Sequence, residues 1–359
     1  MKTAIILGTR PEIIKFSPII RECEHLGLDY FVLHTGQHYS YNMDKVFFEQ
    51  LDLPQAKYNL DVGSGTHAEQ TGKMMIKIEK VLRKDHADLV LVEGDTNTVL
   101  AGALTAAKLD IKVGHVEAGL RSYDKKMPEE TNRILADHCS DLLFAPTRKS
   151  KSILIGEGIY KDKVFVTGNT IVDAVHQNLK LARRKETPNR LLDMCKGNYF
   201  LSTVHRQENV DNERKFKMIC KGLDSLQKKY GLPVVYPIHP RAKKQLKSHN
   251  IKIKNIKIIE PLDYLAFLKL ESNAKLVLTD SGGVQEEACI LGVPCVTLRE
   301  NTERPETLEV GSNVLAGSNS EEIVRKADFM LRRKVCWKNP FGDGNAAKRI
   351  IRILAEKFD

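Results

Sequence analysis

The chain has 359 residues, 42% of them apolar and 28% charged, with a net charge of +10. That length fits two domains of roughly 100–200 residues better than one, and the composition excludes a disordered chain and, with no apolar run of ~20 residues, a helical membrane protein. The positive excess invites an anionic partner without naming it: nucleic acid, a membrane surface and a phosphorylated small molecule all fit.

Seven cysteines without close-pair spacing read as buried free thiols in a reducing compartment. The N-terminus enters an apolar strand after one lysine and lacks a signal-peptide pattern. A cytoplasmic protein is expected.

Apolar runs alternate with amphipathic stretches from the start. Ala4-Ile5-Ile6-Leu7 reads as a buried strand, and Gly8-Thr9-Arg10-Pro11-Glu12 as the turn that opens a helix. Further strands are expected at Tyr30 to His34, Asp88 to Val92, Val113 to Glu117, Leu142 to Phe144 and Val164 to Val166. Continuous apolar strands separated by helices predict a parallel sheet covered on both faces. The pattern restarts after a polar connection from Asn169 to Asn198, with strands at Tyr199 to Val204, Val234 to Ile238, Ile256 to Ile259, Leu276 to Leu278 and Cys295 to Thr297. The expected fold class is therefore α/β, with two Rossmann-like doubly wound domains facing a central cleft. The boundary is expected at Gly168-Asn169. Residues 169–345 form the second domain. The segment 346–359, with Ile350, Ile353, Leu354 and Phe358 on one helical face, is expected to complete the first domain, residues 1–168.

Ligands of doubly wound sheets bind beyond the carboxyl ends of the strands. Several charged constellations fall there. Arg10 and Lys15 follow the first strand at a helix start, which favours anions. The spacing of glycines is neither a dinucleotide fingerprint nor a P-loop, which excludes NAD or ATP binding through this loop. Asp95 stands beyond the third strand, Glu117 ends the fourth, and Glu129 and Glu130 open a later helix. Three acidic sites at one mouth make general acid and base work plausible. In the second half, His205 and His239 each stand at a strand end beside an arginine, suited to hold or protonate a phosphate leaving group. Thr279-Asp280-Ser281-Gly282-Gly283 precedes a helix running through Leu291, where backbone N–H groups meet phosphate and Glu287, one turn in, can accept from ribose hydroxyls. Arg304 adds charge to the same phosphates. No helical His pair or Cys cluster supports a zinc site. The basic run Arg241 to Lys257 reads as solvated surface. No nucleic-acid-binding pattern accompanies the charge.

Taken together, Gly8 to Glu12, Gly94 to Thr98, His115 to Arg121, Pro128 to Arg133, Ser281 to Glu287 and Thr302 to Glu306 resemble, in order and spacing, the non-hydrolysing UDP-N-acetylglucosamine 2-epimerases. The resemblance covers nearly the whole chain. It implies the glycosyltransferase-B architecture, a homodimer, and reversible inversion at the sugar C2 carbon through elimination and re-addition of UDP. It assigns Asp95, Glu117 and Glu129 to proton transfer and His205 to easing UDP departure. It places Arg10, Lys15, Ser281, Gly282, Gly283 and Arg304 at the diphosphate, Glu287 at the ribose, and Phe267 and the Leu262 backbone at uracil. No metal, NAD or other cofactor is implied, and neither nucleic acid nor membrane is a partner. Many bacterial members carry Gln-His-Arg in an allosteric substrate site where this chain has Gln37-His38-Tyr39-Ser40, so regulation of that kind is not implied here, although Arg206 and His239 remain available to line such a pocket. The rival readings are an epimerase of UDP-diacetamido uronic acid and a glycosyltransferase of the same architecture.

Overall fold

The structure is a computed structural model that describes residues 1–36, 41–185, 198–251 and 253–358, with backbone alone for 41–44. The segment Gln37 to Ser40 lies outside the described residues.

Two compact units divide the chain: Met1–Gln177 with Phe341–Asp359, and Asn178–Pro340. The first division falls inside the helix Thr170–Arg184, where the sequence had suggested the loop just before it.

The first unit holds seven strands: β1 (Thr3–Leu7), β2 (Tyr30–His34), β3 (Tyr58–Asn59), β4 (Leu89–Glu93), β5 (Lys112–Val116), β6 (Leu142–Ala145) and β7 (Val164–Val166). They form one sheet in the order β3-β2-β1-β4-β5-β6-β7, and all its pairings are parallel. The second unit holds β8 (Phe200–Thr203), β9 (Val234–Pro237), β10 (Ile256–Ile259), β11 (Leu276–Thr279), β12 (Cys295–Thr297) and β13 (Asn313–Leu315). Their order is β10-β9-β8-β11-β12-β13, again parallel. Both units are doubly wound α/β sheets. Sequence reading missed β3 and β13, which are edge strands of two and three residues. Neither is long enough to show an apolar run.

Period-two side-chain alternation explains why these strands read as unbroken apolar runs. Phe200, Leu276, Leu278 and Val296 pack on one face with Phe216, Ile219 and Leu223 of the helix Glu213–Tyr230. Leu201, Val277 and Cys295 point the other way, into a cluster with Leu270 and Ala288. In the first unit Ala4, Ile6, Val90 and Val92 meet Met74, Ile78 and Leu82 from the helix His67–Asp85.

The helix Ala346–Phe358 packs on the helix Arg10–Leu26 of the first unit. Its N-terminus is tied down from a distance in sequence. Asp173 is buried, and its two carboxylate oxygens accept from the backbone N–H groups of Ala346 and Ala347, each at 3.1 Å. Those donors have no partner within their own helix. Replacing Asp173 by alanine strands two buried N–H groups, so Asp173→Ala is expected to cost about 1–3 kcal/mol of stability. Urea unfolding of the purified protein measures it, and Asp173→Asn is expected to lose less.

Candidate active site

In the first unit the winding reverses between β1 and β4, and the polar residues after these strands meet there. Glu12 closes the turn after β1. Its Oε2 accepts from the backbone N–H groups of Gly8 and Thr9, both at 2.7 Å, and its Oε1 accepts from the Thr96 hydroxyl at 2.5 Å. Burial pushes its carboxyl up to about 6, and these hydrogen bonds hold it from rising further.

Lys15, one turn further along the same helix, reaches two carboxyls. Its Nζ lies 3.0 Å from Glu93 Oε1 and 2.5 Å from Glu117 Oε2. Asn169 Nδ2 also donates to Glu117 Oε2, at 3.1 Å. Glu117 adopts φ +68°, in the left-handed region that a glutamate enters at a cost. That turn, directly after β5, points its carboxylate at the lysine rather than along the strand. Lys15, expected at a diphosphate, is here held between acidic side chains.

Asp95 forms an ion pair with Arg133, which also donates to Glu130 Oε2 at 2.8 Å. Glu130 in turn accepts from the backbone of Ser122 at 2.9 Å and of Tyr123 at 2.8 Å. It fixes the loop before its own helix. Glu129, its neighbour in that first turn, is half-buried and has no hydrogen-bond or ion-pair partner among the described residues. Of the two acids opening the helix Pro128–Cys139, Glu130 is thus the one that ties down the preceding loop.

His115 supports this edge from below. Its Nε2 lies 2.8 Å from the carbonyl of Gly94 and its Nδ1 2.7 Å from Asp137 Oδ1. Gly94, at φ +85°, is the residue between Glu93 and Asp95. Holding that carbonyl fixes the bend that sends one carboxyl inward and the next outward. Asp137 is shared with Arg121 at 2.7 Å.

In the second unit the winding reverses between β8 and β11. There Asp280 is buried and pulls the loop after β8 toward it. It accepts from the backbone of His205 at 3.0 Å and of Arg206 at 3.0 Å, from Asn209 Nδ2 at 3.1 Å, and from His205 Nδ1 at 3.0 Å. Burial works against its charge, but His205 and these N–H groups win and hold the carboxyl below its ordinary range. With Nδ1 committed to a carboxylate, Nε2 is the ring nitrogen that His205 presents outward. His239 lies beside it, ring centroids 5.8 Å apart. Its Nδ1 accepts from the Arg241 backbone at 3.2 Å and caps the helix Pro240–Ser248. Burial and the neighbouring His205 lower its pKa.

Ser281 caps the helix Gly282–Leu291, its Oγ accepting from Val284 N at 3.5 Å. Neither following glycine has a left-handed φ. Apart from its chain neighbours and its own helix backbone, a Cβ added at Gly283 would come no nearer than 3.9 Å to another atom, and one at Gly282 no nearer than 3.5 Å. Protein packing does not demand glycine here. What the pair provides is open room over a helix N-terminus, where an anion can approach the backbone closely. Arg304 Nε lies 2.9 Å from Glu286 of that helix, which holds the guanidinium near the same end. Glu303, half-buried against Arg299, is drawn down to about 2: burial opposes this charge, and the Arg299 hydrogen bonds overcome it. Glu287 is buried in the helix, while Leu262 and Phe267 are half-buried on one apolar cluster with Leu270 and Val277.

Sequence reasoning did not single out Glu93, His115 or Asp280 as individuals. His115 and Asp280 lie inside motifs named above and Glu93 directly precedes one, but only the tertiary contacts show which groups each of them meets.

A model of the UDP-N-acetylglucosamine 2-epimerase family matches residues 21–355. The chain is 59% identical to a UDP-N-acetylglucosamine 2-epimerase of Methanocaldococcus jannaschii, over 99% of both chains. A crystal structure of the UDP-GlcNAc 2-epimerase of that organism, in complex with UDP-GlcNAc and UDP, superposes with a TM-score of 0.90, covering 99% of this chain and 100% of that one at 59% identity. A UDP-2,3-diacetamido-2,3-dideoxy-D-glucuronate 2-epimerase of Pseudomonas aeruginosa is 41% identical over 99% of this chain and 100% of its own. The protein belongs to the UDP-N-acetylglucosamine 2-epimerase family.

The Asp280 network yields a pH signature. A carboxyl held below its ordinary range stabilises the fold above that range and loses the contribution as pH falls through the lowered value. Asp280→Ala is expected to lower the melting temperature at neutral pH and to flatten the acid limb of stability against pH. Thermal unfolding of both proteins across acid pH checks this.

Proposed function

We propose that this protein interconverts UDP-N-acetylglucosamine and UDP-N-acetylmannosamine by eliminating UDP to a 2-acetamidoglucal and adding it back. The observation that carries this reading is the 59% identity, over 99% of both chains, to a relative of that activity. The diacetamido-glucuronate enzyme stands further away at 41%. We place the enzyme in the cytoplasm as a homodimer. Among the described residues no helix is long and apolar enough to cross a membrane.

The chemistry explains the residues. The C2 proton of the sugar is not next to a carbonyl and is a poor acid. Departure of UDP from C1 develops oxocarbenium character and acidifies it. Inversion then requires proton transfer on both faces, so at least two acid–base groups are needed. Glu117, oriented by Lys15 and Asn169, is poised as a carboxylate base. Asp95, held by Arg133, and Glu129 supply the remaining proton transfers. His205, backed by Asp280, offers Nε2 to the departing diphosphate and can neutralise its growing charge. Ser281, Gly282 and Gly283 cradle that diphosphate at a helix N-terminus, with Arg10 and Arg304 as charged donors. Glu287 accepts from the ribose, and Phe267 with the Leu262 backbone receives the uracil.

Incubation with UDP-GlcNAc in deuterated water, followed by NMR, is expected to give UDP-ManNAc carrying deuterium at C2. Turnover of the diacetamido uronate instead, with UDP-GlcNAc untouched, would transfer the reading to that substrate. Each of Asp95→Asn, Glu117→Gln and Glu129→Gln is expected to lose about 10²–10⁴-fold in kcat while still binding UDP.

A further inference from the structure

Glu93 ends β4 with its side chain 1% exposed, and the acid–base reading above does not use it. The titratable groups that face it are Lys15 and Glu12 from the helix Arg10–Leu26 and Glu117 from the turn after β5. Lys15 is thus one ammonium confronting two buried carboxyls, since the Glu117 side chain is only 2% exposed. If both carboxyls were ionised, the trio would hold two negative charges against one positive charge, away from water. Such an unbalanced charge is costly, and a proton relieves it.

The geometry says which carboxyl takes the proton. Glu117 has the shorter contact to Lys15, 2.5 Å, and accepts a further hydrogen bond from Asn169 at 3.1 Å. Both interactions favour its charged form. Glu93 Oε1 approaches Lys15 Nζ to 3.0 Å but lies out of hydrogen-bond alignment with it and finds no other donor among the described residues. We propose that Glu93 is a positioning residue for Glu117: it sits beside Lys15 as the neutral acid, so that the ammonium is committed to Glu117 and holds that carboxylate charged and aimed. Burial pushes the Glu93 carboxyl well above its ordinary range; Lys15 pulls it down and Glu117 and Glu12 push it up, which agrees with this assignment.

The sign of the pH effect follows. A raised carboxyl stays neutral through the ordinary carboxylate range and ionises only at higher pH. There it competes for Lys15, and Glu117 loses its orientation. Glu93 does not touch the substrate in this scheme, so the loss falls on kcat and leaves KM in place.

The kinetic part rests on the epimerase reading, and a spectroscopic part does not. In wild-type protein, kcat is expected to fall on the alkaline side with KM steady. Glu93→Gln and Glu93→Met, neutral at every pH, are expected to lose that fall, and Glu93→Asp, which can ionise, to restore it. An alkaline fall that persists in both neutral variants overturns the proposal. Independently, the infrared difference between ligand-free wild-type protein and whichever of the two neutral variants folds is expected to show the C=O band of a protonated carboxyl at neutral pH. A carboxylate band in its place overturns the proposal. Wild-type protein inactive on UDP-GlcNAc but showing the protonated band would sink the substrate assignment and support the assigned state of Glu93.

Discussion

A parallel sheet sends every loop that follows a strand to the same edge, and a reversal of winding parts two of those loops and leaves a crevice between them. That constraint operates twice here, beside β1 and beside β8. Each crevice is filled by a basic side chain from one side reaching a carboxyl group from the other. In the first unit Lys15, from the helix after β1, meets Glu93 at the end of β4. In the second, His205, after β8, meets Asp280, after β11. Both contacts join segments distant in sequence, and the sheet order makes them neighbours.

The carboxyls proposed for proton transfer differ in the partners that hold them. Glu117 is oriented by a cation and an amide, Asp95 by a guanidinium, and Glu129 by no partner among the described residues. Glu12 and Glu130, alike in chemistry, accept from backbone N–H groups and serve the turns they close. The same economy governs the cations. Arg121 is bound to Asp137 and Glu157, Arg133 to Asp95 and Glu130, and Arg299 to Glu208 and Glu303. The net charge of +10 therefore says little about these positions, where each of these cations meets two acidic side chains.

Much of this was legible in the amino-acid order. Strands buried on both faces leave apolar runs, and eleven of the thirteen strands were placed to within a residue or two; β3 and β13 were not, because edge strands of two and three residues have no period to detect. Glu129 and Glu130 were identifiable as the first turn of a helix, but adjacent glutamates there look the same until the loop Ser122-Tyr123 folds back onto one of them. His239, expected beside a phosphate, also caps a helix through its Nδ1, a second role that its sequence position did not show. A histidine before Pro240-Arg241 fits either role in one dimension.

Sequence by itself determined the α/β class, the repeat of a doubly wound pattern, the family resemblance and the positions where polar residues follow apolar strands. These depend on local periodicity and on residues close together in the chain. The tertiary structure alone decided that Lys15 is shared by Glu93 and Glu117, that Asp280 gathers the His205 loop, and that Asp173 anchors a helix 173 residues away. Those contacts give each of these carboxyls its partners. Charge state depends on burial and on partners brought together by strand order, and neither quantity exists until the chain has folded.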